Sequence, residues 1–223
     1  METSIGGPQR LTKWWWPAAM LALGVAAYSL RYVVIGARAY VPELASSFSE
    51  RPMLIATHTL FGPAALLLGL VNLTPALRNR RWFAHRLFGR SYVISALMLA
   101  AAGLALSRHA GGGLVARVGF ALLALTTFST TLVAYRHIRH GNIRAHREWM
   151  LRSYACIFGA VTLRIWLPLL MTMNGGEFIP AYRIVAWLSW VPNLMWAELV
   201  IRRGWRPSFT LDERPSPRIV ETV

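Results

Sequence analysis

The chain has 223 residues, a mean hydropathy of +0.41, 55% hydrophobic residues and a formal net charge of +15. An apolar chain with so much positive charge is an integral membrane protein whose charge is confined to loops and tails. This excludes a nucleic-acid reader, since short basic loops on an apolar core leave no room for a groove-binding module. One cysteine, Cys156, excludes a disulfide framework, a haem-attachment cysteine pair and a zinc ribbon within one chain.

A bilayer core takes about 20 mostly apolar residues per helix. In chain order six segments qualify: Trp14 to Ile35, Pro52 to Leu73, Gly89 to Leu106, Leu114 to Tyr135, Trp149 to Met173, and Ala181 to Ile201. The expected fold class is therefore all-α: a polytopic membrane helix bundle of about six transmembrane helices over residues 14–204. Residues 1–13 are expected to form an N-terminal cytoplasmic tail. Residues 205–223, rich in proline and charge, are expected to form a disordered cytoplasmic tail. A cleavable signal peptide is the alternative for the first segment, because Arg10 and Lys13 precede its apolar run. Its length past Tyr32 and its three leading tryptophans favour an uncleaved anchor.

Orientation follows from the arginines. Arg78, Arg80, Arg81 and Arg86 stand between the second and third segments. Arg136, Arg139, Arg144 and Arg147 stand between the fourth and fifth. The positive-inside rule puts these loops and both termini in the cytoplasm. The basic loops then meet anionic headgroups of the cytoplasmic leaflet.

Two stretches nearly repeat: Ala84-His85-Arg86 followed by Arg90-Ser91-Tyr92, and Ala145-His146-Arg147 followed by Arg152-Ser153-Tyr154. Leu60-Phe61-Gly62 and Arg117-Val118-Gly119 extend the likeness to the preceding helices. The pattern predicts a duplicated helical hairpin, with helices two and three matching four and five in a central four-helix core.

Leu60 to Gly69, Ala84-His85-Arg86-x-x-Gly89-Arg90-x-Tyr92 and His146-Arg147-x-Trp149-Met150-x-Arg152-Ser153-Tyr154 resemble a bacterial family of predicted membrane proteins of unknown function. The resemblance covers about Met53 to Leu170, and it implies a multipass membrane protein without bringing an activity. The architecture is also similar to transmembrane b-type cytochromes, which hold haem between histidines of a four-helix bundle.

On that analogy His85 and His146 are candidate axial ligands of a haem b iron, with Arg90 and Arg152 near its propionates. A second pair would need a histidine on the fourth helix opposite His58, and Val115 marks the place where it is missing. The alternative is that His85 and His146 are structural residues near helix N-termini. His58 lies about 9 Å into the membrane at 1.5 Å per residue from Pro52. Arg164 reaches a comparable depth and stands eighteen residues beyond His146, on one helical face with Met150, Ser153 and Ile157. His58 and Arg164 are expected to line an outer pocket for haem, a quinone-like molecule or another anionic ligand, because no carboxylate lies in the apolar segments at that level.

Two further groups carry bland readings. His137-x-x-His140, with His146 following, has metal-like spacing, but the surrounding arginines oppose a divalent cation. Glu198 stands four residues before Arg202 and is expected to form an i,i+4 ion pair with it. The functional reading is haem or quinone binding for transmembrane electron transfer. The alternative is a non-redox transporter or assembly factor.

Overall fold

The computed structural model describes residues 15–39, 41–74 and 81–203. The expected tails at 1–13 and 205–223, and Arg78 and Arg80 of the first basic loop, lie outside the described residues.

The described chain is helical in every element. In order these are α1 (Trp15–Ser29), α2 (Arg31–Val34), a short 3-10 turn (Gly36–Ala39), α3 (Pro42–Ser49), α4 (Pro52–Leu73), α5 (Trp82–Ser107), α6 (Gly113–Arg139), α7 (Ile143–Ile157), α8 (Gly159–Met173), α9 (Phe178–Leu188) and α10 (Val191–Arg202). Helices α7 and α8 run on as one span, as do α9 and α10. With α4, α5 and α6 they make five helices long and apolar enough to cross a membrane. The first expected span is helical over Trp15–Ser29 and Arg31–Val34 but breaks at Leu30, so its longest described piece has 15 residues. Five such spans, not six, are therefore present among the described residues.

Helices α5 and α7 begin well before their apolar runs, at Trp82 and Ile143. Hydropathy reads the lipid-facing stretch, whereas local caps decide where a helix starts. Asn142 supplies one such cap, accepting the Ala145 N–H at 3.1 Å. Just before it, α6 ends in a glycine stop. Gly141 has φ +74°, and the Gly141 and Asn142 amides bond back to Ile138 O and His137 O. Only a residue that tolerates φ > 0 reverses the chain this tightly.

Helices α4, α5, α6 and α7 form the central core. Neighbours in sequence pack together, and α4 closes the ring against α7. Helices α5 and α7 therefore stand on one diagonal, and the two copies of the Arg-Ser-Tyr motif meet across it. Tyr92 Oη lies 2.8 Å from Ser153 Oγ, and Ser153 Oγ lies 2.6 Å from Thr131 Oγ1. Thr131 donates its only proton to Thr127 O at 2.7 Å, so it accepts from Ser153, which accepts from Tyr92. The chain of hydroxyls is thereby directed, satisfied throughout, and ended on a backbone carbonyl. Tyr154 donates to Leu66 O at 3.2 Å. Gly69 leaves the room both rings need, since a β-carbon there would collide with Tyr92 and Tyr154.

Helix α1 packs on α4 and α8, while α9 packs on α6 and α8, and α10 on α7. Around α7 and α10, Leu151, Ala155 and Ala197 form one small core. Around α8 and α9, Leu170, Ala181 and Val185 form another.

Candidate functional site

The hydroxyl chain is neutral and fully paired. Charge with no counter-charge among the described residues gathers instead where α1 gives way to α2. Arg31 opens α2 and folds back over two tyrosines, with its Cζ 3.9 Å from the Tyr28 ring centroid and 4.8 Å from that of Tyr32. One of its terminal nitrogens donates to Tyr32 Oη at 2.9 Å. Its Nε is buried and has no hydrogen-bond partner.

Arg164 comes to the same ring from α8. It continues the stripe of Ser153, Ile157 and Val161 and is half-buried. One terminal nitrogen donates to Ala160 O at 2.8 Å, and the other reaches Ser29 Oγ at 3.3 Å. Its Cζ is 6.0 Å from the Tyr28 centroid. Two guanidiniums from separate helices thus flank one tyrosine and sit within electrostatic reach of each other. Such like charges repel, and more strongly beside low-dielectric lipid than in water. Neither arginine belongs to any of the three ion pairs among the described residues, which are Arg51–Glu50, Arg144–Glu148 and Arg152–Glu198.

His58 adds a third nitrogen group from α4. It lies within electrostatic reach of Arg164. Its ring rests over Gly103 of α5, where an added β-carbon would come to 3.9 Å from the imidazole and from Ala124 Cβ. The residue nevertheless keeps much of its surface open. The arrangement of the two guanidiniums can accept an anion between them.

The histidines of the repeat are placed otherwise. His85 is half-buried in the first turn of α5. His146 Nδ1 lies 2.9 Å from Ala134 O, tying the start of α7 to the end of α6. That bond leaves Nε2 for another partner, as is usual for a metal-ligating histidine. The two residues begin diagonal helices at one end of the bundle. The arginines suit a haem less well. Arg90 is exposed, and Arg152 is turned toward α10, where it meets Glu198 at 2.5 Å and 3.1 Å in a two-pronged contact. Two turns along from the histidines, Tyr92 and Ser153 already bridge the diagonal. Of the residues expected around a haem, His146 keeps its Nε2 clear of the Ala134 bond, while Arg152 is engaged by Glu198.

Glu198 therefore pairs with Arg152, in place of the expected Arg202, because α10 lies on α7 and the flat guanidinium takes both carboxylate oxygens. The His137, His140 and His146 spacing assembles no metal site among the described residues, where no group of three possible ligands converges. His140 instead turns its Nδ1 onto Arg136 O at 2.8 Å. Arg31 was the residue that sequence reasoning passes over, since an arginine at the end of an apolar run reads as one snorkelling to headgroups. The signal was the spacing Tyr28-x-x-Arg31-Tyr32, which sets two rings beside one guanidinium.

No curated protein and no solved structure matches the chain. Residues 55–201 match the family described as predicted membrane protein (DUF2306), a span that takes in both hairpins, His58 and Arg164. With well over half its length inside that match, the chain belongs to this family of multipass membrane proteins of unknown function.

Proposed function

We propose that the protein binds the anionic headgroup of a membrane amphiphile, a phosphate ester, between Arg31 and Arg164. The observation that carries this is the pair of guanidiniums around Tyr28, with no carboxylate paired to either among the described residues. A phosphate oxygen bridging them would replace repulsion with charge-assisted hydrogen bonds and occupy the buried Arg31 Nε. His58 then bonds a second oxygen of the headgroup. With the arginine-rich loops in the cytoplasm of a bacterial inner membrane, this site lies in the outer leaflet. The reading is a non-redox one, in which lipid or lipid-like substrate is held at the edge of the bundle.

The test is native mass spectrometry of protein purified in a neutral maltoside detergent and titrated with phosphatidylglycerol, phosphatidylcholine or inorganic phosphate. Saturable retention of phosphatidylglycerol that Arg31→Gln and Arg164→Gln each weaken about ten-fold supports the reading. Retention of inorganic phosphate alone identifies a free anion as the ligand. Equal retention by the variants ends the proposal.

Electron transfer through a haem b, or through a quinone-like molecule, is the rival. It is favoured by the free Nε2 of His146 on the diagonal from His85. A reduced-minus-oxidised visible spectrum of protein expressed with haem supplied decides the haem form. A sharp α-band lost in both His85→Ala and His146→Ala would make it the leading account.

A further inference from the structure

The two long C-terminal spans are broken at the same level. Counting along 143–173, Phe158 stands at the middle, and along 178–202 the middle falls beside Ser189 and Trp190. Irregular backbone at membrane depth persists only where protein groups satisfy it. Here each break satisfies the other. Thr162 Oγ1 donates to Ser189 O. Asn193 Nδ2 donates to the same carbonyl at 2.9 Å, to Thr162 Oγ1 at 3.0 Å, and reaches Ala155 O at 3.3 Å. Pro192 has no N–H to continue the ladder between the halves. Gly159 allows the approach, for a β-carbon there would stand 3.3 Å from Ser189 O.

The consequence lies in what each half of the fifth span touches. Below the break, α7 is part of the four-helix core and is joined to α10 through Arg152 and Glu198. Above it, α8 leans chiefly on α9 and α1. Arg164 lies only two residues past Thr162, and its reach to Ser29 depends on that lean.

We infer that Thr162 and Asn193 are positioning residues for the anion site, setting the direction of α8 so that Arg164 stands beside Arg31. The inference rests on the headgroup-binding reading of that site. A hydroxyl at 162 and an amide at 193 fix the angle between two half-helices, and loss of either lets α8 relax away from α1. The effect on ligand passes wholly through Arg164.

The experiment is the same phosphatidylglycerol titration on full-length protein, with melting temperature measured in parallel. Thr162→Val, nearly equal in shape, is expected to weaken binding about ten-fold, as loss of one charge-assisted contact would. Thr162→Ser is expected to restore it. In an Arg164→Gln background Thr162→Val should produce no further loss, the mark of two residues acting as one. Asn193→Ala carries the same test where Thr162→Val melts out. Wild-type affinity in Thr162→Val, while Arg31→Gln and Arg164→Gln lose affinity, overturns the positioning role and leaves the site standing. Loss of binding that follows a fall in melting temperature, unrestored by Thr162→Ser, also overturns it. Wild-type affinity in both arginine variants removes the site itself.

Discussion

The two polar regions of this bundle are opposites. At the centre, Tyr92, Ser153 and Thr131 are enclosed by four helices, uncharged, and each hydroxyl proton has one acceptor. Beside α1, Arg31 and Arg164 are charged, half-buried and without a carboxylate partner among the described residues. A satisfied network inside a bilayer fixes which helices meet and in what register. An unsatisfied one costs stability until something else supplies the missing charge. On the proposed reading, the contrast separates polarity kept for the fold from polarity kept for a ligand.

Substitutions at the centre should therefore act on stability alone, the largest at Gly69. Gly69→Ala drives a β-carbon into both tyrosine rings and is expected to cost about 1–3 kcal/mol by overpacking, read as a lowered melting temperature in detergent. Ser153→Ala removes the middle of the hydroxyl chain and should cost about 1–2 kcal/mol. Tyr92→Phe in that background should add little, since the pair shares one bond. If Tyr92→Phe and Ser153→Ala add fully, the chain is not a unit.

Between the two regions stands the Arg152–Glu198 contact, charged like the site but paired like the core. Arg152→Gln should cost about 1 kcal/mol, a modest figure because both side chains keep some exposure. Exchanging the two residues should recover part of it. The smallest stability effect belongs to Arg164→Gln, within about 0.5 kcal/mol of wild type and without a fixed sign, because it removes an unpaired charge. A large destabilisation there would place Arg164 with the core residues and break the comparison.

The sequence showed the spans better than it showed what they do to one another. Pro52 to Leu73 emerges as read, because an apolar run opened by a proline at the first helical position leaves few alternatives. The starts of α5 and α7 were missed because arginine-rich first turns are helical without being apolar. Pro192 was a legible sign of the break in the last span. The break at Phe158 carried only Gly159, and glycine inside an apolar helix is common in membranes. The repeated Arg-Ser-Tyr was visible as a pattern. That Tyr92 of one copy would bond Ser153 of the other depends on a diagonal that no local spacing encodes. For the same reason Glu198 pointed to Arg202 on its own helix, when its partner lay forty-six residues back. Of the proposed anion site, His58 and Arg164 were legible as ionisable groups at depth. Arg31 was marked only by the two tyrosines beside it, and its nearness to Arg164 depends on α8 reaching Ser29 from far along the chain.

The most direct test of the central claim is an experimental structure of the full chain in nanodiscs of phosphatidylcholine doped with phosphatidylglycerol. The account predicts a phosphate bound between the guanidiniums of Arg31 and Arg164, with His58 facing its ester. An ion pair from either arginine to Glu43 or Glu177, with no headgroup between them, would contradict it.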